Sequence, residues 1–242
     1  MKSKKIGVVA LLALAVAAPS AAEAAVRLKV AQAISGDAEQ EFSSDGFGYD
    51  FTQTGDYTPT AINLAFISDT GTFFDIGYST SSDDAMTGPA GYDYERSDLT
   101  LTVGGVKDGL GGYVGFKSGE GTSTSQSGPG DDTLSSVGVV AGLSGQFKPA
   151  PKHTIAVTGG IGFLAGEWEE NYGASSTIEF DWTLGFSWGL AYSFQAAEKV
   201  AVGIEHKAQT YDFEWIDDGT VGFDQSATES LSSTNLFVSF VF

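Results

Sequence analysis

The chain has no cysteine, so disulfides and thiolate chemistry are excluded. It has two histidines, which leaves little for imidazole catalysis. Only six of its 242 residues are proline, beside 32 glycines, a balance that suits strands and turns rather than disordered linkers. Basic residues are scarce, 12 against 31 acidic ones. A phosphate backbone requires the opposite sign, so nucleic acid is not an expected partner. Beyond the N-terminus, no stretch approaches the ~18 continuous apolar residues of a spanning helix. If such a chain crosses a membrane, it must do so as a closed barrel, which alone satisfies every backbone group.

The N-terminus reads as a targeting segment. Lys2, Lys4 and Lys5 precede a run of thirteen apolar residues, Ile6 to Ala18, and Ala22-Glu23-Ala24 fits a small-x-small cleavage site. The expected organisation is a signal peptide over 1–24 and a single barrel domain over 25–242. The 218 residues of the latter suffice for one barrel and leave no room for a second sizeable domain. Without Glu23 and the three lysines, 30 acidic and 9 basic residues remain, a formal charge of −21.

From Ile178 to Phe194 every second residue is apolar or aromatic, while the intervening positions are polar or small. A period of two over seventeen residues indicates a β-strand with one apolar face. At ~3.3 Å per residue it would span roughly 55 Å, more than most soluble strands need. Leu236, Val238, Phe240 and Phe242 repeat the alternation at the C-terminus. This ending resembles the terminal strand of bacterial outer-membrane β-barrel proteins, whose assembly machinery reads an alternating strand ending in an aromatic residue. With the signal and strand pattern, the resemblance extends over nearly the whole chain, at the level of the small outer-membrane or porin-like barrels. It implies an all-β, up-and-down antiparallel transmembrane barrel in the outer membrane of a Gram-negative bacterium. It also implies a monomer whose partners are lipid, lipopolysaccharide and the barrel-assembly machinery.

Ten strand-like runs are predicted at 26–34, 58–68, 72–80, 94–107, 110–119, 133–148, 152–167, 177–195, 198–211 and 231–242. Eight strands is the alternative, if two weaker runs do not span. Short turns are expected at Asp69-Thr70-Gly71, Asp108-Gly109, Pro149-Ala150-Pro151 and Ala196-Ala197. Long polar connections, 35–57, 81–93, 120–132, 168–176 and 212–230, alternate with them. That is the rhythm of periplasmic turns and extracellular loops. Aromatics near strand ends, Tyr192 and Phe194 on the turn side and Phe180 and Trp182 on the loop side, are expected as interfacial girdles.

Alternation turns a set of charges toward the lumen: Arg27, Lys29, Asp75, Lys117, Glu179, Asp181, Glu205 and Lys207. Two arrangements follow. In one, the charges pair across a plugged interior. In the other, inward glycines open a thin water path and the charges set ion preference.

The polar connections hold 22 of the 31 acidic residues, with Arg96 the only basic residue near them. Such carboxylates form a solvated surface, and clustered ones suit calcium or magnesium. Asp131, Asp132, Asp217 and Asp218 are the candidates for a loop-bound cation, although none fits the D-x-[DN]-x-[DN]-G-x₅-E calcium loop. No other cofactor is expected. Aromatics interleave with the acids, either as a recognition surface or as rings packed between strands that continue above the membrane.

Outer-membrane barrel enzymes use Asp/His or Ser/His sets. His153 follows a turn, and His206 is turned toward lipid by strict alternation unless a bulge at 206–208 redirects it. No catalytic residues are expected, and a hydrolase using His206 is the lesser alternative. The functional expectation is a narrow-pore or structural barrel passing ions or small solutes weakly. The alternative is recognition or adhesion through the acidic, aromatic loops.

Overall fold

The computed structural model describes residues 25–44, 49–87, 91–126, 128, 130–171, 175–215 and 225–242. The expected signal segment lies outside them. Every element is a strand: β1 (Ala25–Ser44), β2 (Tyr49–Asp56), β3 (Thr60–Ile67), β4 (Thr72–Thr87), β5 (Tyr92–Lys107), β6 (Leu110–Ser125), β7 (Asp131–Ala150), β8 (His153–Asn171), β9 (Ser175–Ala197), β10 (Val200–Trp215) and β11 (Gln225–Val241).

Apart from β2 and β3, consecutive strands pair antiparallel, and β1 pairs with β11 from Arg27↔Val241 to Ser44↔Gln225, so the sheet closes. β2 and β3 lie end to end along β1, which makes eleven segments a ring of ten positions. Between them, Pro59 offers no N–H to a ladder. The Tyr57 amide donates to Gly36 O at 3.0 Å and the Ala33 amide to Pro59 O at 2.9 Å, which holds the break against β1. Only glycine fits at 36, since a Cβ there would lie 2.3 Å from Tyr57 O.

At the turn end, Asp108 and Gly109 both have positive φ (53° and 82°), as a tight Asp-Gly hairpin requires. Two turns sit later than expected. The chain reverses at Pro151-Lys152 rather than 149–151, and at Glu198-Lys199 rather than 196–197. At the other end, the expected long loops are mostly strand. β1 runs to Ser44, β6 to Ser125 and β8 to Asn171, so the polar connections are paired walls with short tips.

The outer face carries an exposed apolar belt, including Val137, Leu143 and Phe147 on β7, Leu184 to Phe194 on β9, and Leu236, Val238 and Phe240 on β11. On β9 the belt covers ten residue steps, about 25 Å of height once strand tilt is allowed for, which matches the apolar band of a membrane barrel. Among the described residues no helix is long and apolar enough to cross a membrane.

Above the belt the faces exchange character. Tyr211 and Phe213 point inward and are buried, while Glu205, Lys207 and Gln209 occupy the same inward face lower on β10. The register of β10 with β11 is unbroken through this region. The parity change from Ile204 to Tyr211 is therefore the change of environment, and the bulge considered at 206–208 is absent. On β9 a bulge does occur. Leu164 opposes Thr183 while Gly166 opposes Phe180, so the alternation read from 178 to 194 breaks at 181–182. Phe180 consequently turns inward and is buried instead of joining a loop-side girdle.

Candidate functional site: a luminal cavity under a closed ceiling

The lower half of the lumen holds a cavity of about 770 Å³. It reaches from the turn end, at Gly71 and Val106, up to Tyr57, Asp98 and Lys117. Six of the eight charges expected in the lumen line it: Arg27, Lys29, Asp75, Lys117, Glu205 and Lys207. Glu179 does not. The β9 bulge turns it outward, where it is exposed beside Glu167 of β8, so its assignment to the lumen is corrected. The side chain of Asp181 lies outside the described part of the structure.

Within the cavity, Glu205 is clasped by two cations. Lys29 donates to Oε2, and Lys207 Nζ stands 3.0 Å from Oε1. Lys29 also sits 4.4 Å above the Phe237 ring. Asn63 Nδ2 reaches Asp75 Oδ1 at 3.4 Å.

The ceiling is a buried polar layer that spans the barrel. Arg96 of β5 and Glu229 of β11 pair across the lumen, each side chain 1% exposed. Arg96 also grips Asp98 with two N–H···O bonds, Nε to Oδ2 at 2.9 Å and Nη2 to Oδ1 at 3.0 Å. Lys117 Nζ approaches Asp98 Oδ1 at 3.2 Å and donates to Tyr211 Oη at 2.9 Å. Tyr94 Oη donates to Glu229 Oε1 at 3.0 Å, and Gln40 adds a 3.3 Å bond to the same atom. Two cations meet two anions, so the layer is neutral. Buried ions persist when paired and hydrogen-bonded in this way.

An apolar layer lies above. Phe42, Leu134, Leu164, Trp168, Phe180, Tyr211, Phe213 and Ala227 form one buried cluster, with Phe51 and Ile178 against it. Phe42 stacks on Phe51 at 5.6 Å and meets Trp168 at 5.4 Å. A second cluster joins Ala38, Tyr57, Met86, Tyr94 and Leu231. Among the described residues, the rings of Phe51, Tyr57, Tyr94, Trp168 and Phe213, which interleave with acidic residues, are thus packed inside strands that rise above the membrane.

Several inward glycines seat rings. A Cβ at Gly185 would lie 1.9 Å from Tyr211 Cδ1, one at Gly166 2.5 Å from Phe213, and one at Gly142 2.4 Å from Tyr113.

The cation candidates separate. Asp132 points inward and is buried, whereas Asp131 points to the opposite face, as successive strand residues must. They cannot share one ion. Asp217 and Asp218 lie outside the described residues. Among the described residues no three metal-ligating side chains converge. His206 lies on the outer face against Trp188, ring centroids 5.1 Å apart, with Nδ1 3.1 Å from Thr234 Oγ1. Its neighbour Glu205 points into the lumen. His153, at the turn end, meets Tyr192 Oη at 2.7 Å. Leu236, Val238 and Phe240 lie on the outer face, and the backbone of Phe242 pairs with Val26.

Sequence reasoning missed the ceiling. Arg96 stood out as a lone cation among acids, and Arg96 and Asp98 share a strand face. Glu229 falls in the acidic connection 212–230, and nothing local marks it as the cross-lumen partner.

A closed antiparallel ring with an apolar outer belt and a charged lumen is the fold of a small outer-membrane β-barrel. No family model matches the chain, and no curated protein matches it. Among solved structures it is similar to the outer membrane protease OmpT from Escherichia coli, with 10% identity over 90% of this chain and 97% of that one and a TM-score of 0.64. Others include the translocator domain of the autotransporter NalP from Neisseria meningitidis (10% identity, 99% and 96% covered, TM-score 0.47) and Neisserial surface protein A (12%, 91% and 100%, 0.39). At these identities the likeness to the protease is one of fold.

Proposed function

We propose that this protein is a structural outer-membrane barrel with a closed lumen, not a narrow pore. The observation that carries this reading is the ceiling from Arg96 to Glu229, roofed by packed aromatic rings. Moving an ion through it requires breaking buried ion pairs, at several kcal/mol per ion exposed to a low dielectric. The polar outer walls above the belt, with Glu167, Glu169 and Glu179 exposed, form an acidic collar. Nothing supports the hydrolase alternative: the His206 ring packs on Trp188 on the outer face, while its neighbour Glu205 points into the lumen.

Single-channel recording of the refolded residues 25–242 in a planar bilayer tests the proposal. A silent membrane, with β-type circular dichroism confirming the fold, is the expected result. Steady conductance steps would overturn it and restore the pore.

A further inference from the structure

Of the nine basic residues beyond the signal segment, five point into the barrel. Arg96 and Lys117 are neutralised in the ceiling by Glu229 and Asp98. Below them, Arg27, Lys29 and Lys207 line the cavity with two carboxylates, Asp75 and Glu205. Glu205 serves both lysines. Arg27 has no carboxylate within 4.0 Å among the described residues. The cavity therefore holds surplus positive charge inside a chain of formal charge −19. In a low-dielectric wall such a surplus attracts an anion.

The rest of the lining indicates which kind. Beside Lys207, and across the lumen from Arg27 and Lys29 of β1, Ser144, Thr158 and Ser187 line the wall formed by β7, β8 and β9. Their hydroxyls both donate and accept. The volume of about 770 Å³ lies in the range of small-molecule sites. A guanidinium is well suited to an oxyanion, which it binds through two parallel N–H bonds.

We propose that the cavity binds a small hydroxylated organic anion, a carboxylate or phosphate ester, entering from the turn end. Arg27 and Lys207 hold the oxyanion, and the serine and threonine hydroxyls meet the hydroxyls of the solute. The inference rests on the closed lumen, because a ceiling makes the cavity a dead-end site instead of a length of pore.

Isothermal titration of residues 25–242 refolded in detergent tests it, with gluconate and glucose 6-phosphate as probes and glucose and sodium chloride as controls. The expected result is saturable heat with at least one anion and none with glucose. Affinity should weaken about tenfold or more in Arg27→Gln and in Lys207→Gln, the loss of one charge-assisted contact, and stay unchanged in Lys148→Gln at the turn. Three results would overturn the site: no saturable heat from a barrel with intact circular dichroism, unchanged affinity in both cavity variants, or the same heat from sodium chloride. Conductance of the same samples separates the two proposals. A silent barrel that binds neither anion loses the site alone. A conducting barrel whose binding depends on Arg27 loses the ceiling alone.

Discussion

Removing the Arg96 guanidinium tests the ceiling most directly. Arg96→Met keeps the unbranched apolar stem of the side chain and deletes three contacts, one to Glu229 and two to Asp98. Asp98 retains Lys117 at 3.2 Å, while Glu229 retains only neutral donors, Tyr94 and Gln40. A carboxylate with 1% of its side chain exposed is then left without a counter-charge. Breaking one partner of a buried pair costs about 3–5 kcal/mol. At a urea slope of about 2 kcal/mol per molar, the midpoint should fall by roughly 1.5–2.5 M. Adding Glu229→Leu removes the orphaned charge, so the double variant should regain at least about 2 kcal/mol relative to Arg96→Met. The assay is urea unfolding of the refolded barrel in lipid vesicles, followed by tryptophan fluorescence. A loss under about 1 kcal/mol in Arg96→Met, or a double variant as unstable as the sum of the singles, would refute the pairing as described.

Three further outcomes are expected. Gly185→Ala places a methyl 1.9 Å from the Tyr211 ring and should cost about 1–3 kcal/mol, whereas Gly159→Ala meets nothing within 4 Å and should stay within about 0.5 kcal/mol in the same unfolding assay. Because the chain has no cysteine, Glu179→Cys should react with a bulky membrane-impermeant maleimide in the folded barrel while Ser123→Cys, buried in the upper lumen, stays protected; equal labelling would contradict the β9 bulge and the packed interior. Phe242→Ala should leave the midpoint of the refolded barrel within about 1 kcal/mol, since its ring is 69% exposed, yet lower the yield of folded barrel in cells, read by heat-modifiable gel mobility.

The barrel itself was legible because its signals are local. Alternation from Leu184 to Phe194, the Asp108-Gly109 turn and the final apolar strand each lie within a few residues. The charges of the lower lumen followed from parity alone, as Lys29, Glu205 and Lys207 illustrate. Parity failed where the backbone departs from strict alternation, at residues 181–182, and so misplaced Glu179 and Phe180. It also failed to show that polar connections were walls. Their inward residues, Phe42, Tyr94, Trp168 and Phe213, alternate with acids as regularly as belt residues do, but with the opposite sense. The Arg96–Glu229 pair is separated by 133 residues and is set by ring closure, which no local pattern encodes.

The exchange of faces at the top of the belt also fixes how deep the protein sits. Above the line, glutamates of β8 and β9 stand outward; below the belt, Lys107, Lys148, Lys152 and Lys199 occupy the turn end. Sinking by one residue pair would draw carboxylates into the edge of the hydrocarbon, and rising would do the same to ammonium groups, at up to about 1 kcal/mol for each basic group near the interface and about 2–4 kcal/mol toward the midplane. The barrel thus carries its own waterline, and its side chains set its draught in the membrane.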